Sequence, residues 1–343
     1  MSDDARLLRL KQQVSKLPRH DECWEMSTWL GRMWVAEDGE SPLRPYMSII
    51  VNCDGLILRS KIHEQTPTVE MLFEELLEAM KHPMMGIGGP GRPAVVYLDD
   101  ADAVADLTPL LTEVEVGCEY RDSLPEIDEP RQFVEDHLRD AQEFIPGLVT
   151  IPCISDALLE HFYQLAAEYY HAMPWRWLTD LHPLEIRYPA TAGPRYAVVM
   201  GSSGQVFGLS VYDSLAHLRT IYREDLTPTE VLNLTSSLTL YFEEAPSMSF
   251  DDLDAIAEHH WPIASAYAYP VLGRTLGIEL SLPSLSDVIW MEGAIAGILA
   301  YLRDHKPPKG EELTADELTL PIETISGPST VFLRYPAFDP WNA

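Results

Sequence analysis

The sequence predicts an α/β protein with two related units, each containing a mixed sheet and the element order βββαβαβα. Three observations lead to this prediction. The 343 residues are long for one domain and sufficient for two hydrophobic cores. Apolar runs of strand length alternate with segments of helical periodicity. Short motifs also occur twice in the same order, which indicates an internal duplication. We place an N-terminal α/β domain at residues 1–145 and a C-terminal α/β domain at residues 153–343.

The first half begins with an amphipathic helix over residues 1–17, and three strands follow it. The aromatic-rich segment Cys23–Trp34 predicts the first strand. The apolar runs Met47–Asn52 and Leu56–Ile62 predict the second and third. Asp54-Gly55 between these two runs is a strong hairpin signal, so we expect them to pair antiparallel.

Three helices and two more strands complete the first predicted unit. Thr66–His82 carries apolar side chains at helical spacing. A strand of the buried type follows at Ala94–Leu98, and Asp99-Asp100 opens the next helix, where an acidic side chain satisfies free N–H groups. Val114–Tyr120 predicts the fifth strand, and Ile127–Ala141 predicts the last helix.

The second half follows a predicted linker at Pro146–Pro152 and opens with an aromatic-rich helix over Ser155–His171. The turn Gly201-Ser202-Ser203-Gly204 takes the place that Asp54-Gly55 has in the first half. Its glycines are spaced somewhat like a phosphate-binding loop, but the segment joins two strands and therefore predicts a hairpin. Strands are predicted at Leu184–Tyr188, Arg195–Met200, Val206–Tyr212 and Thr330–Tyr335.

The predicted duplication depends on paired motifs. Residues 98–106 (LDDADAVAD) resemble residues 250–258 (FDDLDAIAE), with an offset of 251 − 99 = 152. Ser123-Leu124-Pro125 matches Ser281-Leu282-Pro283, with an offset of 281 − 123 = 158. Each triplet precedes an apolar helix that ends in Leu-Arg-Asp. Because the offsets are nearly constant, we expect the two halves to share one topology.

The chain is strongly acidic over its whole length. It has 54 Asp and Glu against 24 Lys and Arg, a formal net charge of −30. Residues 1–150 hold 29 acids and 14 bases and the remainder holds 25 and 10, so each half carries −15. Such a field repels phosphate backbones and anionic membrane surfaces. We therefore expect neither nucleic acid nor a membrane as a partner, although an acidic mimic of DNA stays open.

The cysteines and the N-terminal segment predict a cytoplasmic protein. Cys23, Cys53, Cys118 and Cys153 lie far apart and form no CxxC pair, which is typical of reduced thiols. The charged N-terminal helix lacks the apolar run of a signal peptide. No stretch reaches the roughly 18 uninterrupted apolar residues of a membrane span.

Two segments of the chain resemble uncharacterised families. Pro174–Leu178, Val198–Gly204 and Gly208–Tyr212 make the second half resemble a bacterial family of unknown function. The first half, with Trp24 and then Arg44-Pro45-Tyr46, is similar to a second uncharacterised domain that occurs beside it. Neither resemblance implies an activity.

The order βββαβαβα also resembles that of ribonuclease H-like domains. Catalytic carboxylates in that superfamily hold two Mg²⁺ ions that act on a phosphodiester. For the first half, the resemblance implies Glu25, Asp99 or Asp100, and Glu135 as the corresponding acids. Both halves have Glu where the superfamily has Asp on the first strand, and helix capping explains Asp99-Asp100 equally well. The nearest acids of the second half are Glu185, Asp251 and Glu292.

A group of aromatic side chains near the start of the second half is the remaining surface candidate. Amphipathic rings concentrate at interaction sites, but core packing explains them too. The group consists of Tyr163, Tyr169, Tyr170, Trp175 and Trp177.

These observations favour a non-catalytic, intracellular protein-binding or scaffold module that needs no cofactor and no metal. The alternative is a Mg²⁺-dependent phosphodiester-cleaving enzyme that uses Glu25, Asp99, Asp100 and Glu135. The sequence identifies no catalytic residue, no particular partner and no oligomeric state.

Overall fold

The structure of the protein is a computed structural model. The chain divides into two compact units, Met1–Phe144 and Ile145–Ala343, and each is described by itself. The structure describes residues 3–36, 41–84, 89–139, 146–178, 183–223, 225–276, 279–305 and 315–338.

The first unit is an α/β unit in which a helix precedes elements in the order βββαβαβα. Its five strands form one sheet in the order β3-β2-β1-β4-β5. The strand β1 pairs antiparallel with β2 and parallel with β4, so the sheet is mixed. The elements are α1 (Asp3–Val14), β1 (Cys23–Leu30), β2 (Tyr46–Asn52), β3 (Ile57–His63), α2 (Val69–Lys81), β4 (Val95–Leu98), α3 (Ala101–Thr112), β5 (Gly117–Tyr120) and α4 (Pro125–Arg139).

The predicted hairpin between β2 and β3 is confirmed. The two strands pair antiparallel, and Gly55 in the turn has a φ of +70°, which favours glycine. The side-chain oxygen of Asn52 accepts hydrogen bonds from the backbone N–H groups of Asp54 and Leu56. These local bonds hold the turn.

Helices cover both faces of this sheet because successive side chains of a strand point to opposite faces. Trp24 and Met26 of β1 belong to one hydrophobic core, together with buried side chains of α1, α2 and α3. Trp29 of the same strand belongs to a second core with Ile127 of α4. The sheet therefore lies between two helical layers.

The core of the first unit contains a buried polar cluster of Ser48, His63 and Glu75. The hydroxyl of Ser48 donates to Glu75 Oε2 at 2.5 Å and lies 3.1 Å from His63 Nε2. His63 Nε2 is 3.0 Å from Glu75 Oε1. Burial lowers the pKa of His63, and the nearby Glu75 carboxylate opposes this effect. The cluster joins β2, β3 and α2.

The second unit is built on an eight-stranded sheet, and every neighbouring pair of strands is antiparallel. The strand order is β11-β10-β9-β8-β7-β6-β13-β12. The elements are a 3₁₀ helix (Leu148–Thr150), α5 (Asp156–Ala172), a 3₁₀ helix (Pro174–Arg176), β6 (Leu184–Arg187), β7 (Arg195–Met200), β8 (Gly208–Tyr212), α6 (Leu215–Ile221), α7 (Pro228–Leu234), β9 (Ser236–Glu243), a 3₁₀ helix (Ala245–Ser247), α8 (Phe250–His259), β10 (Tyr269–Leu276), β11 (Glu279–Ser281), α9 (Leu285–His305), β12 (Asp316–Thr324) and β13 (Gly327–Tyr335).

The α/β class is confirmed, but the predicted duplication is not. Three antiparallel strands do open the second sheet, and the hairpin at Gly201–Gly204 joins β7 to β8 as predicted. The strand β9 then pairs antiparallel with β8, whereas β4 of the first unit pairs parallel with β1. The two sheets thus have different strand orders, and only the first is mixed.

The repeated motifs failed to predict topology because they report local helix starts. Asp100 is the N-cap of α3, and its side chain accepts bonds from the N–H groups of Asp102 and Ala103. The N-cap of α8 is Ser249 instead. The matching Asp252 accepts bonds from the loop before α5. Capping chemistry recurs at unrelated helices, so its repetition carries no information about strand pairing.

The helix α9 is the long apolar element of the second unit. Among the described residues, it alone is long and apolar enough to cross a membrane by length and composition, with a mean hydropathy of 1.4. Of that apolar window, 78% is buried. A Cβ atom added at Gly293 would lie 2.4 Å from the Tyr188 ring, and one at Gly297 would lie 2.6 Å from Val331. The two glycines allow α9 to pack closely on its neighbours.

Candidate functional site

The first-unit carboxylates that the ribonuclease H-like resemblance implied each have a structural contact. Glu25 is 3% exposed, and its Oε2 accepts a hydrogen bond from the backbone N–H of Glu126. Burial raises the pKa of Glu25. Asp99 Oδ2 accepts a bond from the Ser27 hydroxyl, and Asp100 caps α3. The fourth acid, Glu135, pairs with Arg131 one helical turn away in α4.

The corresponding acids of the second unit also lie in different settings. Glu185 is buried and bonded to two arginines, Arg187 and Arg334. The backbone N–H of Asp251 donates to the Ser249 hydroxyl at the start of α8. Within the described residues, no three His, Cys, Asp or Glu side chains are grouped so that they could hold a metal ion.

Glu292 is a buried residue of α9 that links three elements. Its Oε1 accepts a hydrogen bond from the backbone N–H of Ile325, at the β12–β13 hairpin, at 2.7 Å. The same oxygen lies 2.5 Å from His161 Nδ1 in α5. Glu292 therefore ties α9 to α5 and to the hairpin.

The aromatic group that the sequence singled out divides into core and surface parts. Tyr163 and Tyr169 are fully buried in α5. Tyr163 stacks on Trp261, and Tyr169 donates its hydroxyl to the backbone oxygen of Gly208. The other three rings, at positions 170, 175 and 177, are partly exposed. Core packing thus explains two of the five rings.

Tyr170 and Trp175 line an open pocket of about 620 Å³ in the second unit, which we call the aromatic pocket. Its walls come from the C-terminal end of α5, from the 3₁₀ helix that follows, and from the β7–β8 hairpin. The lining residues are Tyr170, His171, Met173, Trp175, Arg176, Gly201, Ser202, Ser203, Gly204 and Phe207.

Three rings form the apolar wall of the aromatic pocket. The ring centroids of Trp175 and Phe207 are 4.7 Å apart, and that of Tyr170 lies 5.6 Å from Trp175. Phe242 of β9 packs behind Tyr170, with a centroid distance of 4.9 Å. Rings that support one another in this way hold their orientation before any ligand arrives.

The backbone around the pocket is specialised for this arrangement. Met173 has a φ of +50° at the C-cap of α5, which turns the chain so that Trp175 returns beside Tyr170. On the opposite wall, Gly201 has a φ of +129°. A Cβ atom at Gly201 would lie 2.7 Å from the Phe207 ring and 2.8 Å from Trp175. Glycine is required there because the hairpin backbone touches both rings.

The charge of the pocket wall is opposite to that of the chain. His171 and Arg176 are both exposed and both line the pocket. None of the described residues in the wall is Asp or Glu. An exposed guanidinium next to apolar rings can pair with an anionic group while the rings bury an apolar one.

Sequence reasoning found only part of this site. It singled out Tyr170 and Trp175, and it predicted the hairpin. It missed Phe207 and Arg176 as wall residues, because ring contacts between α5 and the hairpin depend on tertiary packing. The signal that was available was the glycine-rich hairpin directly before Phe207, since glycine often marks a close approach of backbone to rings.

The fold and the pocket define the class of this protein: a two-unit α/β protein with an open, aromatic-walled pocket in its second unit. Residues 10–135 match the family described as Domain of unknown function (DUF6930), and residues 160–273 match the family described as Domain of unknown function (DUF7309). The chain thus carries two adjacent domains of unknown function, and the resemblance to two uncharacterised families is confirmed. These matches do not confirm the ribonuclease H-like resemblance. No curated protein matches the sequence significantly.

The position of the pocket relative to these matches is informative. All of its lining residues, from Tyr170 to Phe207, fall inside the segment 160–273. The helix α9 and the strands β12 and β13 lie beyond both matched segments. The aromatic pocket is therefore a feature of the DUF7309 domain itself.

Proposed function

We propose that the protein is a non-catalytic, cytoplasmic binding module that contacts another protein through the aromatic pocket. The observation that carries this proposal is the wall of three partly exposed rings, Tyr170, Trp175 and Phe207, beside an open volume of about 620 Å³. Aromatic side chains dominate protein interfaces because they bury a large area and lose little conformational entropy.

The surroundings of the pocket support a protein partner. Val206, beside Phe207 on the hairpin, is 46% exposed and extends the apolar surface. A pocket of this size holds a side chain together with its neighbouring backbone. The hairpin also offers backbone groups at its turn. An aromatic pocket continued by exposed apolar surface is typical of a site that receives an anchoring side chain.

The contacts of the acidic residues support a binding role over phosphodiester cleavage. Glu25 and Asp100 serve as helix caps, and Glu135 pairs with Arg131. A two-metal site requires such carboxylates to converge on shared ions. The proposal leaves out nucleic acid and anionic membranes as partners, because a net charge of −30 repels them.

The test is a capture experiment from the native cell lysate with the immobilised protein. We expect a specific protein to be retained by the wild type and lost by two pocket variants. Trp175→Ala removes part of the ring wall, and Ser203→Trp fills the pocket from an exposed position on the hairpin. The control is Tyr267→Ala, because Tyr267 is 72% exposed in the same unit but lies outside the pocket.

Melting temperatures show whether each variant remains folded. The proposal is wrong if the folded pocket variants retain the same proteins as the wild type. It is also wrong if the wild type enriches no protein above a blank resin.

A further inference from the structure

The charged groups of the aromatic pocket restrict what can bind there, and this inference rests on the proposed function. The whole chain has 54 acidic and 24 basic side chains. The described pocket wall instead has Arg176 and His171 and no carboxylate. The pocket is therefore a local exception to the acidity of the protein.

The distance over which charges act makes this exception matter. At physiological salt the Debye length is about 8 Å, so charges outside the pocket are largely screened from a group inside it. An anionic group beside Arg176 feels mainly that guanidinium. A long polyanion extends beyond the pocket and meets the acidic surface of the remaining chain. The pocket thus favours a single anionic group over a polyanion.

The ring wall requires a second feature of the occupant. Trp175 and Phe207, with centroids 4.7 Å apart, present an apolar surface that is covered best by another ring or by a large aliphatic side chain. Arg176 follows Trp175 directly in the same 3₁₀ helix. A ligand that covers the rings therefore brings its neighbouring groups close to the guanidinium.

We propose that the aromatic pocket binds a segment of a partner protein in which an aromatic side chain is directly flanked by Asp or Glu. The ring packs against Tyr170, Trp175 and Phe207, and the flanking carboxylate pairs with Arg176. Carboxylate is the anion that guanidinium recognises with two parallel hydrogen bonds. A lysine or arginine in the flanking position meets like charge and is rejected.

The experiment is a selection from a phage-displayed library of random short peptides on the full-length protein. Peptides that also bind the Ser203→Trp variant are removed by counter-selection. We expect the remaining peptides to share an aromatic residue next to Asp or Glu. Replacing that ring by Ala should weaken binding about tenfold, because buried aromatic anchors carry most of an interface's free energy.

Charge reversal separates the role of Arg176 from general electrostatics. Replacing the flanking acid of a selected peptide by Lys should weaken binding at least about threefold, and Arg176→Glu should invert this preference. The matched control is Arg303→Glu, which makes the same change at an exposed position outside the pocket and should leave the preference intact.

The outcomes distinguish the two proposals. If the selected peptides carry Lys or Arg beside the ring, or no ring, or if none is selected while the lysate partner is still captured, the occupant chemistry is wrong and the binding module stands. If acidic aromatic peptides bind but the lysate yields no partner, the proposed function fails alone. If indole-3-acetate binds at the pocket as tightly as the best peptide, the site takes a small acid and both proposals fail.

Discussion

The carboxylate of Glu25 accepts a 2.9 Å hydrogen bond from the backbone N–H of Glu126, which follows it by 101 residues. Glu25 lies in the middle of β1, and Glu126 lies in the first turn of α4. The first N–H groups of a helix have no partner within the helix. A buried strand residue therefore caps α4 from the sheet, and it does so at a position where the ribonuclease H-like resemblance implied a catalytic acid.

Replacing Glu25 by Ala should loosen the start of α4. The change removes the acceptor and leaves a buried N–H without a partner, which costs about 1 to 3 kcal/mol. Hydrogen exchange of the α4 amides is the measurement, because it reports the first unit separately. Glu25→Gln keeps an oxygen at the same distance and should protect α4 better than Ala does. Equal protection in both variants would contradict a capping role.

Replacing Gly201 by Ala should damage the aromatic pocket. The new Cβ atom collides with Phe207 and Trp175, and alanine is strained at a φ of +129°. The control is Gly204→Ala, because Gly204 has a φ of +76° but open space around its Cβ position. We expect Gly201→Ala to lose about 2 kcal/mol more stability than the control. Similar melting temperatures for both variants would show that the hairpin does not press on the rings.

Asp252 should make the second unit less stable as the pH rises from about 4 to 7. Burial raises the pKa of Asp252 to about 6 from an ordinary value of 3.8, although the N–H groups of Leu148 and Val149 bond to it and oppose the shift. The folded state therefore binds the proton more tightly than the unfolded state does. The stabilisation is complete below pH 3.8 and is lost as the pH passes through 6.

The size of this effect follows from the shift of about two units, which corresponds to about 3 kcal/mol. The measurement is urea unfolding of the wild type and Asp252→Asn across this pH range. The stability advantage of the wild type should shrink as the pH rises. Asp156→Asn, at an exposed position in α5, controls for the loss of one charge. A constant difference between wild type and Asp252→Asn would refute the prediction.

The buried cluster of Ser48, His63 and Glu75 should behave as one unit. Ser48→Ala leaves the Glu75 carboxylate without a buried donor, so we expect a loss of about 1 to 3 kcal/mol. Ser60→Ala, at an exposed position on β3, should change stability little. In a double-mutant cycle with Glu75→Gln, the two changes should couple by at least about 0.5 kcal/mol. Additive effects would mean that the hydrogen bond contributes nothing.

Mg²⁺ or Mn²⁺ should not raise the melting temperature beyond the general effect of ionic strength. Glu25 and Asp100 cap helices and Glu135 pairs with Arg131, so we expect these acids not to share an ion. A specific site at about 100 times its Kd would add roughly 2.7 kcal/mol. The measurement compares millimolar divalent and monovalent salt at matched ionic strength. A divalent-specific rise that disappears in Asp99→Asn or Glu135→Gln would instead favour the phosphodiester-cleaving enzyme.

Local sequence signals predicted the local structure well. The Asp54-Gly55 hairpin, the cap at Asp100 and the apolar face of α2 all appear where the residues indicated them. Their physical causes act within a few positions of the chain. The strand β9 was not among the predicted strands, although Leu238, Leu240 and Phe242 alternate inward along it.

The larger errors concern pairing between distant segments. The motifs at Asp99-Asp100 and Asp251-Asp252 are alike, yet β4 joins a parallel pair and the strands of the second unit are all antiparallel. Parallel and antiparallel partners are selected by the packing of the whole sheet, and a capping motif does not record that choice.

The sequence by itself determined the net charge of −30, the hairpin turns, the helix starts and the presence of aromatic residues around Trp175. Each follows from composition or from interactions between near neighbours. Only the tertiary structure decided that Glu25 meets the start of α4 and that Phe207 meets Trp175 at 4.7 Å. These contacts form because folding brings distant segments together to bury apolar surface, and side-chain identity alone does not specify which segments meet.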